Sequence, residues 1–480
     1  LENLIVVRPD WLVPIERPPI RQGFLVLRHN QIQHLGQDLP SQFENVPQMR
    51  LADYAILPGL INSHCHLEFS DLAMPISAEK SFAGWIQSVI RHRATAVPTP
   101  AERVSSRQAA MDQGIQESYE CGVRWIVDMT TSPWQAEWVE ASVLAIAKAT
   151  LSSAKHVWAP TIPISVQPCI ELVDVNETRL EQTRSFAVSL CESQDRQKTS
   201  FSPLGPMNHA GGENTIRPLG QLGLAPHSPY TASTELTRWS QRKSFEQHRL
   251  VAMHLAESLD EMQWIEKQEG PFASLMRPFL NENYRAGLGS ITERLHCLSQ
   301  SWRSLVVHGN YLTDSELAYL GLACEEMAVV HCPRTHAHFG HDHSSNHSDR
   351  GNSSDAGYPM QERIQMGVRH FLGTDSRASN PNLNLWSEAQ SVRATQRGVS
   401  SLNILQMITT DPAEFLQLPG GIGRIQVGSQ AGLTAVKLNK CKAATIYDCL
   451  LSPETTAQPL EKVLLAEPIS PAASEIEKLR

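Results

Sequence analysis

Between residues 55 and 374, short apolar runs alternate with longer stretches whose apolar residues recur at helical spacing. The runs cover 55–63, 123–129, 157–164, 221–226, 250–256, 303–309, 326–331 and 368–374. Their length and continuous apolar character suit strands buried on both faces. Helices are expected between most of them, for example over Phe82–Arg93, Ser106–Tyr119, Trp138–Thr150, Ala232–Glu246 and Glu257–Lys267. Eight strand–helix repeats predict an α/β protein whose main body is a (β/α)8 TIM-like barrel.

The two ends follow another pattern. Short strands separated by turns are expected over Leu4–Val7, Gly23–Arg28 and Ile32–Leu35, and again over Gly423–Gln426 and Leu433–Leu438. These ends could pair into one small β domain or form two unrelated flaps. Pairing divides the chain into 1–54, the first part of a small β domain; 55–417, the barrel; and 418–480, the second part with a C-terminal tail. Two segments interrupt the barrel rhythm. Residues 186–220, rich in Ser, Gly, Pro, Asn and Gln, read as a long loop. Residues 340–357 carry His341, His343 and His347 with no apolar strand to fix their geometry, so a solvated loop is expected there rather than a metal site.

Composition narrows the partners. Of the 480 residues, 41% are hydrophobic and 19% charged, as in soluble globular proteins. A formal net charge of -9 makes nucleic acid a poor partner. No run of about 18 apolar residues and no cationic stretch ahead of an apolar one points to a membrane or a leader. The chain starts at Leu1, and a removed leader stays open. The nine cysteines are scattered and form no CxxC, which fits a reducing compartment and a cytoplasmic location.

A barrel carries its chemistry at the C-terminal ends of its strands. The first strand runs into PGLINSHCHLE, where His64 and His66 point to one side because side-chain direction repeats every two residues. Alone, the pair could be metal ligands or polar residues at an ordinary strand edge. Other strand ends add to it. The fourth offers His227 in GLAPHSPY, the fifth His254 and Glu257 in LVAMHLAES, and the sixth His308 in SLVVHGN. The seventh offers His331, Arg334, His336 and His338 in VVHCPRTHAHF, and the eighth Asp375 in HFLGTDS. Histidines with a carboxylate on separate strands suit a divalent ion, because imidazole binds zinc, iron and nickel and a carboxylate completes the set.

This ordered series, from PGLINSHCHLE to GTDSRASN, resembles the amidohydrolase superfamily. The likeness is greatest to its branch of cytosine-, guanine- and adenosine-type deaminases and triazine chlorohydrolases, and it covers about residues 1–440. It implies the barrel and a composite β domain from both chain ends. Position by position it implies His64, His66, His254 and Asp375 as metal ligands, Glu257 as a proton-shuttling carboxylate, and His227 as a substrate-facing histidine. Binuclear members bridge two metals through a lysine on strand four. His227 stands there instead, which favours one divalent ion, zinc ahead of iron. His308 then faces water or substrate rather than a second metal.

The resemblance implies a metal-dependent deaminase. The metal activates water, Asp375 takes its proton, Glu257 protonates the ring nitrogen beside an aminated carbon, and His308 stabilises the developing charge. Glu257 could instead be only a first-turn helix acid. Chlorohydrolysis or cyclic-amide hydrolysis would use the same hydroxide, and a non-enzymatic scaffold on this fold is the other class. The HCPR element and the FxxW of KSFAGWIQSVIRHR, Phe82 and Trp85, resemble the aminodeoxyfutalosine deaminases of menaquinone synthesis. Arg334 could pair with the carboxylate of such a substrate or merely brace its loop. His331 could lie at the pocket rim or simply end strand seven. In the common Asp position of the C-terminal motif stands Gly432. The implied partner is an aminated heterocycle or nucleoside, and a homodimer stays open.

Overall fold

The computed structural model describes residues 4–28, 31–78, 81–95, 99–153, 162–175, 177–200, 216–277, 289–340, 358–430, 432–439 and 443–466. Eight parallel strands follow one another in chain order: Leu60–Cys65, Val123–Thr130, Ser165–Leu172, Gly223–Pro226, Leu250–Leu255, Arg303–His308, Met327–His331 and His370–Leu372. The eighth returns to the first through a parallel bridge between Cys65 and Asp375. The His64 carbonyl there accepts the amide hydrogens of Thr374 and Asp375 at 3.1 Å. The sheet is therefore a closed TIM-like barrel. Alternate residues divide its packing. Trp125, Val127, Cys169, Ala252, Leu305, Val330 and Phe371 cluster inside. Ile126, Val166, Val251, Val306 and Val329 pack outward with helix residues such as Ile115, Val139 and Leu295.

Serine and threonine start several of the helices that follow these strands. Ser233, Ser258, Ser290 and Thr313 each accept an amide hydrogen of the first helical turn. Among the described residues, no helix is long and apolar enough to cross a membrane.

A second, seven-stranded sheet is built from both ends of the chain. Its order is Thr456–Pro459, Leu433–Lys437, Gln48–Pro58, Leu4–Leu12, Phe24–Arg28 and Gln31–Gly36, with Ile20–Arg21 beside Leu4–Leu12. Ile5, Val7, Leu27, Met49, Ile56 and Leu464 form its own core. The termini thus pair into one composite sheet and are not separate flaps.

Four sequence expectations change. The run 55–63 is two strands, Gln48–Pro58 in the composite sheet and Leu60–Cys65 in the barrel. Gly59 joins them where a Cβ would lie 2.3 Å from the Gly432 carbonyl and 2.2 Å from Arg124 Cγ. The third barrel strand is Ser165–Leu172, not 157–164, of which 157–161 lie outside the described residues. Its inward row is Ser165, Gln167, Cys169 and Glu171, and Pro168 interrupts the apolar outward row, so it does not look like a strand. Residues 186–200 belong to a helix, Glu177–Ser200, with Ala187 and Cys191 on its buried side and Phe186 and Val188 exposed among polar residues. Residues 201–215 and 341–357 lie outside the described residues, and with them His341, His343 and His347. Gly423–Gln426 is not a strand, although Ile425 still packs into the composite core. At Gly432 a Cβ would lie 3.6 Å from Arg124 Cγ, an ordinary van der Waals contact, so nothing in the structure explains the departure there.

Candidate active site

The barrel topology brings six of the expected side chains to one place. His64 and His66 leave the first strand, His254 the fifth, and Asp375 follows the eighth. His66 Nε2 lies 3.3 Å from His254 Nε2. Asp375 Oδ1 lies 3.4 Å from His64 Nε2 and 3.7 Å from His66 Nε2. Donors about 2.0–2.1 Å from a tetrahedral zinc ion would stand about 3.3 Å apart, so this spacing fits a single ion. The ring nitrogens of fully buried His64 have no hydrogen-bond partner among the described residues, which suits a group reserved for a metal. His254 Nδ1 meets the His227 carbonyl at 3.1 Å, which fixes the ring and leaves Nε2 as the free donor atom. Asp375 Oδ2 accepts the Ser379 hydroxyl at 2.8 Å, leaving Oδ1 toward the histidines. His308 comes within the same cluster as His64 and His254, their ligand atoms lying within 4.8 Å of one another.

Electrostatics separate the two carboxyl groups. Burial would raise Asp375, but the close approach of His64, with His308 and His66, holds it well below the usual range. Glu257 is pushed well above its usual value by burial and by the charges of Asp375 and Glu261. The two carboxyl groups are thus driven in opposite directions. Glu257 Oε1 stands 3.4 Å from His308 Nε2. Burial, with His64 and His227, lowers His254 to about 3, so its imidazole is neutral and able to bind a metal.

A cavity of about 270 Å³ opens onto this cluster. Phe82, Trp85 and His227 line it, as expected from the sequence. Phe82 and Trp85 are stacked with centroids 5.7 Å apart. His227 is oriented by the Thr231 and Ser228 hydroxyls, 2.6 and 3.0 Å from its Nδ1. Two expected residues are elsewhere. Arg334 does not line the cavity: its Nε bonds Glu388 Oε1 at 2.7 Å, and its terminal nitrogens bond Asn382 and Asn384 oxygens at 2.9–3.1 Å. Four of its five N–H hydrogens are thus used within the protein, which fits a brace. His331 also misses the cavity, lying flat on Tyr358 with ring centroids 3.8 Å apart. His336 and His338 bond Asn310 Oδ1 and the Ile76 carbonyl and do not line it either.

Other lining residues were not expected. Glu171 ends the third strand, its Oε1 3.7 Å from His227 Nε2. Arg93, in the last turn of helix Phe82–Thr95, is ion-paired with Glu68 and lies over Phe69. It is the one cationic side chain among the cavity residues. Glu171 was hidden by the misplaced third strand. A reading that took strands to end in single polar residues would have found it in CIEL.

The amidohydrolase family model matches residues 55–463, and the chain belongs to that family. With the histidine–aspartate cluster, this makes the protein a metal-dependent enzyme with a single divalent metal site. A 5-methylthioadenosine/S-adenosylhomocysteine deaminase of Pyrococcus furiosus is 24% identical over 446 residues, 91% of this chain and 87% of that protein. Among solved structures, Helicobacter pylori aminofutalosine deaminase in complex with methylthio-coformycin has a TM-score of 0.66 at 16% identity, covering 97% of each chain. Atrazine chlorohydrolase from Arthrobacter aurescens, complexed with zinc, also has a TM-score of 0.66 at 16% identity, covering 94% of this chain and 92% of that one.

Proposed function

We propose that this protein is a hydrolytic deaminase that replaces an exocyclic amino group on a purine-like heterocycle with oxygen. The observation that carries the reading is the cluster of His64, His66, His254, Asp375 and His308 with Glu257 beside it, all but His64 lining one cavity. A single ion, zinc ahead of iron, held by the first four residues, would supply the Lewis acidity that lowers the pKa of water toward 7.

The remaining steps belong to the chain. Asp375, held ionised, accepts a proton from the attacking water. Glu257, held protonated, gives its proton to the ring nitrogen beside the reacting carbon. His308, beside Glu257, donates toward the developing oxygen. The C–O bond forms and the C–N bond to the amino group breaks. The Glu257 proton stays on the ring nitrogen; of the two hydrogens of water, one leaves with ammonia by way of Asp375 and the other restores Glu257. Phe82 and Trp85 supply aromatic and apolar surface for the heterocycle, and His227 supplies a polar contact to it.

The names of the Pyrococcus and Helicobacter proteins both support a 6-aminopurine nucleoside. Within that class, aminodeoxyfutalosine and a place in menaquinone synthesis are the finer reading. It cannot rest on Arg334, and its carboxylate would have to meet Arg93 instead. The chlorohydrolase likeness keeps a second leaving group in view, and the product assay separates the two. Glu257→Gln is expected to keep its metal while turnover falls about 10²- to 10⁴-fold. Metal analysis and steady-state ammonia release on the same sample check this. Turnover equal to the parent would remove Glu257 from the reaction.

A further inference from the structure

The peptide that carries Glu257 is held from both sides. Its amide N–H donates to Glu261 Oε2 at 2.7 Å, and the Ala256 N–H donates to Glu261 Oε1 at 3.2 Å. Its carbonyl accepts the side-chain amide of Asn310 at 2.9 Å. The held segments are strained. Ala256 has φ 52° and His308 has φ 68°, the left-handed region that side chains adopt only when their surroundings impose it. The turns after strands five and six are joined by backbone bonds, Gly309 N–H to the Leu255 carbonyl and Tyr311 N–H to the Ala256 carbonyl at 3.0 Å, and the Asn310 side chain adds a bond to the Glu257 carbonyl itself.

Chemistry decides which way the Asn310 amide faces. The Glu257 carbonyl can only accept, so Nδ2 must point to it and Oδ1 must point away. Oδ1 meets His336 Nδ1 at 3.2 Å, so that nitrogen carries the proton. The Asn310 backbone is fixed in turn by Arg363, which donates to the Gly309 carbonyl at 2.8 Å and the Asn310 carbonyl at 3.0 Å. Arg363 lies over the Tyr358 ring at 4.2 Å, and Tyr358 carries His331 on its face. The histidine-rich end of strand seven thus reaches the reacting carboxyl without touching the cavity.

We propose that Asn310 is a positioning residue that fixes Glu257 against His308, with His336 holding the other end of its amide. This rests on Glu257 as the proton donor. Asn310→Ala deletes the donor to the Glu257 carbonyl. Its kcat should fall about 10- to 100-fold, because small misplacements of a reacting group cost that much. KM should stay within about threefold and the bound metal should be unchanged, as expected when only transition-state contacts are lost. In a Glu257→Gln background, where the group that Asn310 positions is already disabled, the same change should cost no more than about twofold.

An equal loss in both backgrounds would overturn the proposal, as would a loss confined to KM or to bound metal. If Glu257→Gln itself turns over like the parent, the proton-donor reading fails, a result distinct from either of those. Should Asn310→Ala not fold, His336→Ala is measured in the same two backgrounds. It frees the amide to rotate and should lower kcat about three- to tenfold in the parent only. No change in the parent, or the same change in both, would again refute the role.

Discussion

Barrel strands five and seven both end in a histidine followed by further polar residues, and the two ends serve different purposes. After strand five, His254 has its Nδ1 on the His227 carbonyl and its Nε2 beside His66, while Glu257 faces His308. After strand seven, His331 lies on Tyr358, His336 bonds Asn310, and Arg334 is bonded to Glu388, Asn382 and Asn384. One end keeps donor and acceptor atoms for a metal and substrate. The other uses most of its polar atoms within the protein, His331 Nδ1 being without a hydrogen-bond partner among the described residues. A polar residue at a strand end marks a place where chemistry can occur, and its partners decide whether it does.

The comparison is broken most severely at strand five. His254→Ala should lose the ion and lower turnover by about a thousandfold or more. Elemental analysis should fall from one ion per chain to almost none. An unchanged stoichiometry would remove His254 from the ligand set.

At strand seven the expected damage is to stability. Arg334→Ala leaves Glu388 buried without its counter-charge, and the unfolding free energy should fall by about 3 kcal/mol. Burial pushes Glu388 up despite Arg334, so its native value lies above its unfolded one. Its contribution is therefore present at acid pH and lost as the pH rises through the native value. The cost of Arg334→Ala should be smaller near about pH 5 than about pH 8, as denaturant titration at both would show. The ratio of kcat/KM for a carboxylate-bearing nucleoside over adenosine should not move. A selective loss with the acid substrate would return Arg334 to substrate binding.

A milder change sharpens the cavity wall. Trp85→Ala should raise KM for a purine nucleoside about tenfold while kcat changes less, because it removes aromatic surface and not a reacting group. A pure kcat effect would place Trp85 in the reaction instead.

These contrasts also explain what the sequence reveals. His64, His66, His254, Glu257, His308 and Asp375 are readable because each follows a short apolar run, and a closed barrel brings such ends to one rim. The composite sheet was readable as strands at both chain ends and its pairing through the family resemblance, whereas its central strand Gln48–Pro58, which Leu433–Lys437 meets across most of the chain, was not. Glu171 was obscured because strand three is polar along its inward row. Arg93 sits on a helix, where spacing shows the buried stripe but not which end charge reaches a cavity. Arg334 reads like a substrate residue until Glu388, on a later helix, takes its guanidinium. Long-range partners of this kind leave no local pattern.

The most direct test of the account is ammonia release by the metal-loaded protein. The panel is 5′-methylthioadenosine, S-adenosylhomocysteine, adenosine, aminodeoxyfutalosine, guanine, cytosine and an aminotriazine, with metal content read on the same sample. The account predicts one ion per chain and one ammonia per 6-oxopurine formed from at least one adenine nucleoside. One ion per chain with no ammonia from any member of the panel would contradict it.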